Sequence, residues 1–185
     1  MAAQGLAGFY GSVFKRSTTV GALIRNSGGS ILLLRSGSRG WDLPAGIVKG
    51  AEDPRSAARR MARTALGLEL DVGRVLVLDY IQAGGTAGAQ GDSIFFVFDG
   101  GTLATSVAVF TAAGGEREAR FVPVPDCLAA LSPDSARRLT AALEALELGT
   151  VTELLDGEPA RTESGPPPTR RLMPPVAGFS GILGR

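Results

Sequence analysis

Apolar and polar positions change rhythm several times along the chain, and each change marks an element. In the run TTVGALIRNSGGSILLLR, residues 18–35, two stretches rich in Val, Ile and Leu flank Asn26-Ser27-Gly28-Gly29, which predicts two strands joined by a tight turn. Residues 41–48 are short and apolar but broken by Pro44 and Gly46, as a loop entering a brief strand would be. Periodicity then lengthens. Ala58, Met61, Ala62, Ala65 and Leu66 recur at intervals of three and four, the buried stripe of a helix. Asp53 is its expected cap, Pro54 suits its first position, and Gly67 its left-handed end.

Alternating apolar runs return at 74–82 and 93–99, joined by the glycine-rich AGGTAGAQGD, and again at 107–111 and 119–124, which adds four expected strands. Ser132-Pro133 opens a second helix, with Ala136, Leu139, Leu143 and Leu146 as its apolar side. Mixed strands with two main helices predict an α/β/α sandwich around a mixed sheet.

At 185 residues the chain is long enough for one packed domain with some margin. The 26 glycines and 11 prolines concentrate part of that margin at the end. Residues 158–185 are too rich in proline, glycine and charge to bury much surface, so the domain is expected over 18–157, after an arm at 1–17. The tail closes on an apolar peptide at 176–183, a candidate docking motif for a protein partner.

A net charge of +1 gives no reason to expect nucleic acid. No run reaches the ~20 apolar residues of a membrane span, and the charges of the first residues follow their apolar stretch, so the expected location is cytoplasmic. Histidine is absent and Cys127 is the single cysteine. These two facts remove triad hydrolysis, internal disulfides and cysteine-based zinc sites. Cys127 itself reads as a small apolar residue beneath a helix.

The densest chemical information lies at 46–68. Gly46, Glu52, Arg60, Gly67 and Leu68 fall on the positions of the pattern G-x5-E-x7-R-E-U-x-E-E-x-G-U, with U aliphatic, and the lead-in Trp41-Asp42-Leu43-Pro44 also matches. The segment resembles the Nudix box. The resemblance extends over residues 18–157 and implies a Nudix-type sandwich, cleavage of nucleoside diphosphate derivatives, and magnesium or manganese held by helix glutamates. It also implies a pairing of Glu52 with Arg60 and a frequent homodimer. At the three glutamate positions this chain has Met61, Thr64 and Ala65.

Magnesium needs carboxylate oxygens in octahedral array, and a thioether, a hydroxyl and a methyl provide none. Arg55, Arg59, Arg60 and Arg63 replace the acidic surroundings with a field that repels a divalent cation. The expectation is a domain of this type with no metal and no assigned catalytic residue. It would bind a nucleotide or another phosphate-bearing small molecule through Arg35, Arg59, Arg60 and Arg63, or serve in protein interaction.

Arg55, Arg59 and Arg63, four apart, are expected to share one outward face. The alternative is an active hydrolase, or a metal-free enzyme, using Glu52, Glu116 or Glu118, with magnesium or manganese on displaced carboxylates in the hydrolase case. Glu69 and Asp71 are further candidates, and all but Glu52 read first as solvated turn residues. Trp41 reads as loop packing before base stacking.

Overall fold

A computed structural model describes residues 16–35, 40–82, 91–104, 109–111 and 118–160. Strands β1 (Ser17–Asn26) and β2 (Ile31–Arg35) form the expected hairpin. The Asn26 side-chain oxygen accepts from the backbone N–H groups of Gly28 and Ser30, which closes the turn. β3 (Trp41–Asp42) pairs with β2, and β4 (Ala45–Ile47) with β1. The helix α1 (Pro54–Met61) continues as a π-helical turn, Ala62–Leu66.

Then follow β5 (Val75–Ile81), β6 (Ser93–Leu103), β7 (Val109–Thr111) and β8 (Glu118–Val122). Two helices, α2 (Val124–Ala130) and α3 (Pro133–Leu148), and the hairpin β9 (Thr152–Leu155) with β10 (Glu158–Pro159) complete the described residues. Strands run in the order β10-β9-β5-β6-β1-β2-β8-β7. β1 with β6 and β5 with β9 are parallel, the other pairs antiparallel, so the sheet is mixed.

Two cores lie on opposite faces of this sheet. One packs α1 and its π-helical turn through Ala57, Ala58, Met61 and Ala65 against Val20, Ala22, Ile24, Leu32 and Phe98. The other packs α2 and α3 through Cys127, Leu139, Ala142 and Ala145 against Leu23, Leu33, Val77 and Leu154. Alternation along β1 and β2 feeds both: Leu32 and Leu34 go to the first core, Ile31 and Leu33 to the second. This is the α/β/α sandwich that the sequence predicts, with a third, short helix added.

The expected apolar side of α3 is displaced. Leu139 is buried, but Ala136, Leu143 and Leu146 are half-buried, and Ser135, Ala142 and Ala145 fill the interior. Small residues there let the helix lie close to the sheet. Cys127 sits within α2 instead of beneath a helix; its Sγ donates to the Val122 carbonyl at 3.3 Å, and burial pushes the thiol up to about 11. Residues 158–160, the start of the expected tail, still belong to the sheet hairpin, where Ala160 N–H donates to Glu153 O at 3.0 Å. The remainder of the tail, residues 161–185, and the arm at 1–15 lie outside the described residues. Among those described, no helix is long and apolar enough to cross a membrane.

Candidate functional site

The loop and helix at 46–68 are assembled around one ion pair. The Glu52 carboxylate accepts from Arg60 Nε at 2.7 Å and Nη2 at 2.9 Å, and from the Lys49 backbone N–H at 2.9 Å. Arg60 Nη2 also donates to the Ile47 carbonyl at 2.9 Å, so a single guanidinium ties β4, the loop and α1 together. The Arg60 hydrogen bond, then the Lys49 N–H, hold the Glu52 carboxyl down at about 2, while Arg60 is raised by the same contact. Gly46 supplies the closeness: a Cβ there would stand 3.1 Å from Met61 Cγ.

Helix capping follows the local sequence. The Asp53 side chain accepts from Ser56 N–H at 3.0 Å, and Pro54 takes the first position; the Ser56 side chain, then that N–H, hold the Asp53 carboxyl below the usual range. Gly67, at φ 68°, ends the helix in the left-handed region. The last turn widens to π geometry, with Gly67 N–H reaching the Ala62 carbonyl five residues back, and Leu68 N–H closes the end by donating to the same carbonyl at 3.2 Å. Leu68 packs half-buried against the α1-side core.

Met61 and Ala65 point into that core, 3% and 6% exposed. Thr64 is exposed, and its hydroxyl donates back to the Arg60 carbonyl at 2.8 Å. No group of three or more His, Cys, Asp or Glu able to hold a metal ion occurs among the described residues.

The arginines of α1 do not form one outward face. Arg55 folds back over the Phe98 ring, 5.3 Å from its centroid, and donates to the carbonyls of Val72 and Gly73. It docks the helix onto the segment before β5, because carbonyls without strand partners attract the nearest guanidinium. Arg63 makes a two-point contact with Glu69, at 2.6 and 2.9 Å, and this pairing lowers Glu69 and raises Arg63. Arg59 alone of the four is exposed without a partner among the described residues.

Arg35 ends β2 on the face of Ile31 and Leu33, across the sheet from α1. Its guanidinium lies 5.9 Å from the Trp41 ring and 3.9 Å from Glu118. Arg120 covers Trp41 more closely, at 4.1 Å, so the indole is engaged in packing. Glu118 starts β8 and is exposed. Glu116 lies outside the described residues. Asp71 is exposed between α1 and β5. Glu52 and Glu118 therefore occupy separate places, one tied to α1 and the other across the sheet beside Arg35.

Sequence reasoning overlooked a second feature of the α1 face. Past the helix, Leu78 and Tyr80 of β5 align with Phe96 and Ile94 of β6, and Leu155 of β9 follows beside Tyr80. The first four are half-buried and Leu155 is exposed. Phe96 stacks at 6.1 Å on Phe98, the ring under Arg55. The signal was present as alternation in both strands, but their register was needed to join it into one ledge.

The architecture is shared with solved structures. A MutT protein from Methanosarcina mazei Go1 is 24% identical, with a TM-score of 0.57 over 75% of this chain and 99% of that one. The NUDIX domain of Shewanella oneidensis NrtR, complexed with ADP ribose, is 17% identical, with a TM-score of 0.58 over 79% and 99%. A NUDIX hydrolase from Nitrosomonas europaea gives 15% identity and a TM-score of 0.59 over 77% and 79%. At such identities the likeness is one of fold. No curated protein matches the chain. The model of the NUDIX domain matches residues 15–143, so this chain belongs to the NUDIX domain family.

Proposed function

We propose that this protein binds a phosphate-bearing ligand of the nucleotide class and has lost metal-dependent hydrolysis. One observation carries the reading: the three helix positions where the box calls for carboxylates are unable to ligate. Two of them, Met61 and Ala65, are part of the core, and the third, Thr64, spends its hydroxyl on the helix backbone. The donor set does not fit magnesium, which takes hard oxygen ligands at near-octahedral angles. Glu52 does not replace it, since both its oxygens are held by Arg60 and by Lys49 N–H.

What is left is a basic helix beside an apolar ledge. Arg59 is free to take a phosphate directly, while Arg60 and Arg63, within a turn of it, are each held by a carboxylate of their own, Glu52 and Glu69. The ledge of Phe96, Leu78 and Tyr80 offers a surface for the organic portion. Arg35, on the opposite face, belongs to no such arrangement with the α1 arginines. That a NUDIX domain of the same fold was crystallised with ADP ribose supports the ligand class.

The test is a thermal-shift series with ADP ribose and nucleoside diphosphates, with magnesium, with manganese and with chelator, run beside a phosphate-release assay. Stabilisation by a nucleotide that is indifferent to the ions, with turnover below ~0.1 per second, is expected. Metal-dependent turnover above that level overturns the reading in favour of an active hydrolase.

A further inference from the structure

A groove of about 410 Å³ lies on the sheet face opposite α1, between α3 and the β9–β10 hairpin. Leu128, Ala136, Ala141, Leu154 and Pro159 form its apolar walls, and Leu128 is left 41% exposed. Its size is that of a small-ligand or side-chain pocket. Two ionic groups stand at it. Arg137 is engaged, by Asp134 at 2.5 Å and Glu158 at 3.3 Å. Glu144 is exposed and makes no ion pair among the described residues.

We propose that this groove takes the chain's own C-terminal apolar segment, residues 176–183. The chain departs from the groove itself: Pro159 is a wall, and residues 161–185 follow directly. Residues 161–175 span up to about 50 Å when extended, ample to return. That tether sets a local concentration on the order of millimolar, so even weak affinity is enough, and a free partner starts at a disadvantage.

The segment VAGFSGIL carries Phe179, Ile182 and Leu183 for the apolar walls. Arg170, Arg171 and Arg185 bracket it and complement Glu144. β10 is only two residues long and contains a proline, so recognition runs through side chains rather than strand addition.

The full chain carrying Phe179→Ser and Ile182→Ser is compared with the parent by amide resonances. The expected result is shifts confined to residues 128–144 and 152–159, unchanged on tenfold dilution. Unmoved groove resonances, or shifts that vanish on dilution as for a second copy's tail, overturn the proposal. Glu144→Lys, at an exposed site, is expected to speed amide exchange within 176–183 about tenfold; unaltered exchange there also overturns it.

Discussion

The two faces of this sheet hold their helices by different means. On the α1 face the contact is apolar, through Ala57, Ala58 and Met61, and the ion pair Glu52–Arg60 sits at the rim, with side chains 16% and 29% exposed. On the α3 face an ion pair lies underneath: Arg138 Nε donates to Asp79 at 2.6 Å, with exposures of 11% and 0%. Asp79 also accepts from Gly157 N–H at 3.0 Å, and Arg138 lies 5.0 Å from the Phe95 ring centroid. One carboxylate therefore joins β5, α3 and the turn into β10. A rim pair can exchange its partner for water, whereas a buried one cannot, so equal bond lengths carry unequal consequences.

Breaking the buried pair should have the largest effect. Arg138→Met leaves the enclosed Asp79 carboxyl without its cation, and is expected to cost about 3–5 kcal/mol in chemical denaturation. Adding Asp79→Leu should recover more than half of that loss; a double variant as weak as the single would mean that Arg138 acts through packing alone. Next, Met61→Ala opens a cavity under α1, with an expected loss of about 2–4 kcal/mol. A loss well below ~1 kcal/mol would show that Arg55, rather than the apolar stripe, docks that helix.

Smaller effects sharpen the contrast at the helix ends and the rim. The Ser132 side chain accepts from Ser135 N–H at 3.2 Å and caps α3, so Ser132→Ala should remove about 1 kcal/mol. Glu52→Gln should act on pH dependence more than on midpoint stability. The Glu52 carboxyl, held at about 2 against an ordinary 4.5, contributes fully above pH 4.5 and loses its contribution as pH falls toward 2. Denaturation of the parent should weaken across that window more than that of the variant. Parallel curves would remove the pair from the account of acid stability.

Local chemistry was readable in advance, and long-range pairing was not. The turn at Asn26–Gly29, the cap at Asp53 and the stop at Gly67 depend on residues within four positions of one another, which spacing can reveal. The Glu52–Arg60 pair was legible only as an implication of the resemblance to the Nudix box, and it is present in the structure. Arg55 was misread as outward because its acceptors, Val72 and Gly73, lie 17 and 18 positions away.

The Asp79–Arg138 pair, 59 apart, left no periodic trace. The segment after β8 was read as strand through Val124, yet α2 begins there, because Pro123 provides its N-terminal flank and Pro125 its opening turn. β9 escaped because Thr-Glu-Leu-Leu carries no alternation of its own. It becomes a strand through parallel pairing with β5, a tertiary decision that overrides local preference.

The outer strands, three residues at β7 and two at β10, determine how neighbouring molecules can meet. Pro159 brings no amide hydrogen to its border, and a row that short offers little for a foreign backbone to copy. Growth of this sheet into a continuous ribbon across molecules is blunted on that side, so crowding at high expression should favour soluble material over fibrils built from β10.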